Sequence, residues 1–131
     1  MPIRSYLDAG VIRADFFGHV TKEDFFGLVA EFEALEQKLP VTPDRIADLS
    51  AIEDSDLRFP EMMAISARRR PQRFPNAFRT AIVASRPTDI GTARMFQSLN
   101  DHPQITIRIF PDLAAAQAWL AQPPEPPRPA V

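Results

Sequence analysis

The chain has 131 residues, enough for one domain with a single sizeable core. Its hydrophobic content of 45% and charged content of 24% are those of an ordinary soluble globular protein, and a net charge of −2 gives no field to draw in nucleic acid. The absence of cysteine excludes disulfides, thiolate metal sites and a cysteine nucleophile, and two distant histidines, His19 and His102, argue against a histidine-rich metal centre. Neither metal nor cofactor is expected.

Ile3 to Phe17 reads as two strands separated by Ala9-Gly10, with Gly18 and His19 turning out of the second. Thr21 and Asp24 form a capping-box-like start for a helix. Phe25, Leu28, Val29, Phe32, Leu35 and Leu39 then recur at helical spacing, Glu31, Glu33, Glu36 and Lys38 lie largely off that stripe, and Pro40 and Pro43 close the helix. R-I-A-D-L is the third strand, with Asp48 near its end.

Leu57 to Arg70 is the second predicted helix, with Phe59, Met62, Met63 and Ile65 as its apolar residues. F-R-T-A-I-V-A is a fourth strand, and Thr88 or Asp89 caps a third helix running to about Asn100. I-T-I-R-I-F alternates cleanly as a fifth strand, and Pro111-Asp112 starts a fourth helix whose Leu113, Ala116, Trp119 and Leu120 share a face. The order ββαβαβαβα predicts an α/β domain over residues 1–122, with a five-stranded, mixed but mostly parallel sheet. Residues 123–131, five of them proline, are expected to form an extended or disordered tail.

The element order, G-H-V-T-K-E-D-F at the first helix and D-L-S-A-I-E-D-S-D-L after the third strand resemble the SpoIIAA-like family. The resemblance covers roughly Ile3 to Gln122. It implies a STAS-like fold, whose best-known members are anti-sigma-factor antagonists; some relatives are grouped with CRAL-TRIO lipid carriers. In those antagonists a D-S-S-G-L motif carries a regulatory phosphoserine. The corresponding text here is Asp54-Ser55-Asp56-Leu57, which leaves Ser55 as the candidate switch and puts an acidic residue, Asp56, where a second serine or the glycine stands in the family.

Three groups of residues are candidate sites. Asp48, Ser50, Asp54, Ser55 and Asp56 lie in the expected loop after the third strand, where α/β sheets dock ligands and partners. Capping by Ser55 or Asp54, with Asp56 facing the helix dipole, explains the same residues structurally. Ser85, Arg86 and Thr88 precede the third helix and suit an anion, although the glycines and lysine of a P-loop are missing. Arg68, Arg69, Arg70 and Arg73 concentrate positive charge at the end of the second helix, where a contact patch competes with simple dipole complementation.

No catalytic residue is assigned, because neither histidine sits in a nucleophile-elbow context. The expected function is a non-enzymatic regulatory or protein-interaction module, acting through the loop after the third strand and the start of the second helix. The alternative is a carrier of a lipid-like or other apolar small ligand, with Phe59, Met62, Met63 and Phe96 lining a cavity. A small enzyme with an unidentified site is a third reading. The expected partners are another protein, a second copy as a homodimer, or an apolar small molecule. No apolar run approaches membrane-spanning length, and the N-terminus lacks an apolar signal region, so a cytoplasmic protein is expected.

Overall fold

The hairpin that opens the chain turns on two residues with positive φ, Ala9 at 51° and Gly10 at 81°. Both values suit the two-residue hairpin turn whose twist matches that of its strands. The hairpin joins β1 (Ile3–Asp8) to β2 (Val11–Val20) in a computed structural model that describes residues 2–124. Then follow α1 (Lys22–Lys38), β3 (Arg45–Ser55), α2 (Phe59–Arg69), β4 (Phe78–Val83), α3 (Pro87–Leu99), β5 (Ile105–Phe110) and α4 (Leu113–Ala121). The sheet runs β1-β2-β3-β4-β5, antiparallel between β1 and β2 and parallel elsewhere. Element order and sheet type are those expected from the sequence.

Helices cover the two faces unequally. Phe25, Leu28 and Val29 of α1, Met62 and Ile65 of α2 and Ala93 of α3 are buried with Ala14, Phe16, Leu49, Ile82 and Ile107 of the sheet. On the opposite face Ala116 and Trp119 of α4 pack on Ile46, Ala81 and Val83. Each fully buried aliphatic side chain contributes about 1.5–3 kcal/mol, and this apolar burial holds a chain that has no disulfide.

The local signals account for most element ends. Thr21 Oγ1 accepts from the Asp24 amide at 3.1 Å, and the Asp24 carboxylate accepts from the Thr21 amide at 2.9 Å, completing the box foreseen in the sequence. Asp112 caps α4 by accepting from the Ala115 amide at 2.8 Å. The start of α3 differs from expectation: Arg86, not Thr88 or Asp89, is the N-cap, because Pro87 takes the first helical position and needs no amide partner.

The larger correction concerns β3. It continues to Ser55, so the expected loop after R-I-A-D-L is strand, and Asp48 is the fourth of its eleven residues. β4 pairs only with Arg45 to Asp48, whereas β2 follows β3 to its end, pairing His19 with Asp54 and Val20 with Ser55. Two register irregularities let Leu49 and Ile52, three residues apart, both face the core. Gly18, at φ 65°, stands at the second of them. In consequence α2 begins at Phe59, and neither Asp54 nor Ser55 caps it: Arg58 is the N-cap, its amide donating to Glu61 at 3.0 Å.

His102 is buried. Its ring nitrogens bridge Gln72 O, at 2.7 Å, and the Gln104 amide, at 3.0 Å, tying the segment after α2 to the start of β5. Pro123 and Pro124 follow α4 in no regular structure, and the rest of the predicted tail lies outside the described residues.

Candidate functional site

Between the sheet and the helix layer α1–α3 lies a hollow of about 110 Å³. Phe16, Leu49, Ile82 and Ile107 line it from the sheet; Phe25, Val29, Met62, Ile65, Ala93 and Phe96 line it from the helices. Met62 and Phe96 thus stand where the carrier reading expected them. Phe59 and Met63 do not: they are exposed on the outer side of α2, because the helical turn that sends Met62 and Ile65 inward carries them away from the core.

Polar chemistry enters the hollow through Arg45, with Arg69, Thr80, Thr92 and Asn100 also on its wall. Arg45 alternates inward with Ala47 and Leu49 on the helix-covered face of β3. Its guanidinium carbon lies 4.3 Å from the Phe78 ring centroid and 5.0 Å from that of Phe32. Nη2 donates to Glu36 Oε2 at 2.8 Å, while the buried Nε has no partner among the described residues.

Glu36 is the hub of this cluster. Its two oxygens also accept from Arg69 Nη1 and Nη2, both at 2.9 Å. Burial alone pushes the Glu36 carboxyl up, but the Arg69 hydrogen bonds and the charges of Arg45 and Arg69 outweigh it and hold it below the ordinary carboxylate range. For Arg45 burial wins, and its pKa is drawn down despite Glu36. Neighbouring Glu33 is engaged by Arg68 and Gln72 and lies 3.8 Å from Arg69.

At the far end of the sheet, β2 and β3 project beyond β4 to a tip where His19 Nδ1 is 3.1 Å from Asp54 and Nε2 is 3.3 Å from Asp56. These three side chains are exposed, with Phe59 and Met63 one turn apart on the helix that follows. Among the described residues no three His, Asp or Glu side chains gather to hold a metal ion, and no helix is long and apolar enough to cross a membrane.

No protein-family model matches the chain, and no curated protein matches it. A solved structure does: an uncharacterized protein from the DUF3478 family with a SpoIIAA-like fold, from Shewanella loihica PV-4. Its TM-score is 0.59 at 16% identity, over 90% of this chain and 91% of that one. The chain has a SpoIIAA-like fold.

Within that SpoIIAA-like frame the docking candidates of the sequence separate into two places. Asp48 and Ser50 sit at the bulge in β3, the Ser50 amide and hydroxyl both donating to Asp48 Oδ1 at 3.0 and 2.6 Å. Asp54, Ser55 and Asp56 are at the tip, with Ser55 half-buried and its carbonyl accepting from Arg58 at 2.8 Å. In the expected anion site, Ser85, Arg86 and Thr88 are exposed, but Arg86 is already held by Asp89 at 2.8 Å and by Ile52 O.

The arginine run is not one surface patch either. Arg69 is buried on Glu36 and Arg68 pairs with Glu33, because α2 packs its last turn against acidic residues of α1. Arg70 and Arg73 are exposed, Arg73 donating to the Arg70 and Gln72 carbonyls. Sequence reasoning missed the Glu36–Arg45–Arg69 cluster. The signal was present: Phe25, Val29, Phe32 and Glu36 are spaced four, three and four apart, which puts Glu36 on the apolar stripe.

Proposed function

We propose that this SpoIIAA-like domain is a binding module that holds a small, largely apolar molecule between its sheet and helices, without covalent chemistry. The observation that carries this reading is the hollow itself, walled by aromatic and aliphatic side chains with a buried arginine on one side. Ligand sites commonly combine an apolar wall with a few polar groups that fix orientation. Size narrows the ligand. An engineered cavity of about 150 Å³ takes benzene, so a hollow of about 110 Å³ sets an upper limit of one ring or a short branched chain. An acyl chain of lipid length requires α2 or α3 to move outward.

The test is to follow the Met62 and Ile65 methyl resonances while adding xenon or toluene to the full chain. Saturable shifts at both methyls are expected. Methyls that ignore both probes would sink the reading.

A second reading, docking of a protein, is favoured by a different observation. Phe59 and Met63 are 57% and 43% exposed, side by side on α2 and next to the acidic tip of Asp54 and Asp56. A partner offering apolar and basic groups fits that surface, and Ser55 beside it is the position where phosphorylation would add charge. Sedimentation of wild type and of Phe59→Ser/Met63→Ser tests the case in which the partner is a second copy. Self-association lost in the double variant supports it, and a wild type that stays monomeric at high concentration rules that case out.

A further inference from the structure

We propose that the ligand of the hollow carries a carboxylate that Arg45 receives, so that its class is a small aromatic or branched-chain monocarboxylate. This rests on the reading that the hollow holds a ligand, and it names the ligand's head.

Three observations converge on the head group. Arg45 occupies an inward position on a strand whose neighbouring inward residues, Ala47 and Leu49, are apolar, and it borders the hollow directly. Its Nε is buried and unpartnered among the described residues, although an orphaned buried donor costs about 1–3 kcal/mol. The local charge is also unbalanced. Three guanidinium groups, Arg45, Arg68 and Arg69, face two carboxylates, Glu36 and Glu33, with Arg69 reaching both at 2.9 and 3.8 Å; three positive charges less two negative leave one in excess.

A neutral acceptor would satisfy Nε but leave that charge. A carboxylate satisfies both, one of its oxygens accepting from Nε, while Nη2 stays on Glu36. The Phe78 and Phe32 rings flanking the guanidinium hold its plane before any ligand arrives. The lowering of the Arg45 pKa by burial agrees, since it records a cation insufficiently compensated by Glu36.

The body of the ligand follows from the walls. Leu28, Val29, Ile65 and Phe96 offer no hydrogen bonds, and the volume admits a ring or a short branched chain, not a long one. Benzoate is the simplest probe that combines such a body with the head, and toluene is its ring without the charge.

The experiment titrates benzoate, benzyl alcohol and toluene into the full chain, read at the Met62 and Ile65 methyl groups. Wild type is expected to bind benzoate about ten-fold tighter than toluene or more, with benzyl alcohol close to toluene. Arg45→Met is expected to keep toluene and lose the preference for benzoate. Ala47→Leu, which fills the hollow from β3, is expected to lose all three. Equal affinity for benzoate and toluene, benzyl alcohol binding as well as benzoate, or a benzoate preference that survives Arg45→Met overturns the carboxylate head while the hollow stands. Failure of all three probes overturns the hollow and the head together. Should Arg45→Met not fold, the wild-type comparison of benzoate with benzyl alcohol still decides.

Discussion

Glu36 Oε2 and Arg45 Nη2 lie 2.8 Å apart inside the protein, linking the apolar stripe of α1 to the helix-covered face of β3. Arg69 from α2 closes on the same carboxylate, so one side chain joins three elements. Removing the charge at Glu36 takes from buried Arg45 its ion-pair partner and leaves buried Arg69 only Glu33, 3.8 Å away. Glu36→Gln is therefore expected to cost about 3–5 kcal/mol. Urea unfolding checks it through the midpoint, and a loss under 1 kcal/mol would mean that water reaches the cluster.

The same carboxylate makes stability depend on acid. Its pKa in the folded protein is below the unfolded value of about 4.3, because Arg69 and Arg45 more than offset its burial. The unfolded chain therefore binds the proton first as pH falls. The stabilisation is fully present above about pH 4.3 and is lost as pH drops through that value toward the folded pKa. Urea midpoints measured between pH 7 and pH 3 should be level above pH 5 and then fall. In Glu36→Gln the fall should be shallower but not absent, since Glu33 and Asp15 are lowered as well, by Gln72 and Arg68 for the first and by Arg13 and Tyr6 for the second, in each case against their burial.

What was legible in the sequence had an unbroken period. The stripe of α1 from Phe25 to Phe32, the alternation of I-T-I-R-I-F and the shared face of α4 each follow one repeat, and each stands where the spacing put it; beyond Phe32 the buried position on α1 is Glu36, which the sequence reading left off the stripe. β3 was half legible because its bulges space Leu49 and Ile52 by three, which mimics neither strand nor helix. The start of α2 was misread for a related reason. Arg58 is a poor capping type, and its partner Glu61 supplies the reciprocal bond, so Asp54 and Ser55 drew the expectation instead. The cluster at Glu36 depends on partners 9 and 33 residues away, a pairing visible only once α1, α2 and β3 meet.

At the hairpin, Ala9 adopts a left-handed conformation that costs a residue with a Cβ roughly 1–2 kcal/mol. Asparagine tolerates it better and is preferred before glycine in this turn. Ala9→Asn is expected to raise stability by roughly 0.5–1 kcal/mol, seen as a higher melting temperature with ligand response unchanged. A lowered melting temperature would show that the turn relaxes to another form.

The hollow makes its own prediction about stability. Ala47 lies on its wall in a strand, where a β-branched side chain packs well. Ala47→Val is expected to stabilise by about 0.5–1 kcal/mol by filling space, raising the urea midpoint without changing the slope. A lowered midpoint would overturn it and show that the wall is already in contact at Ala47.

Neighbouring residues of α2 offer the sharpest contrast, because inward and outward positions adjoin. Met62 is 2% exposed on the hollow and Met63 is 43% exposed on the surface. Met62→Ala is expected to cost about 2–5 kcal/mol, since it deepens a hollow that the core has not closed. Met63→Ala and Phe59→Ala should each stay within about 0.5 kcal/mol of wild type in the isolated chain. Differential scanning calorimetry of the three variants at low concentration measures these differences. Should Phe59→Ala destabilise as much as Met62→Ala, that ring is supporting the fold, and the docking reading loses the surface on which it stands. If instead Phe59→Ala is neutral alone yet lowers the melting temperature of a concentrated sample, the difference is the contribution of a contact between copies.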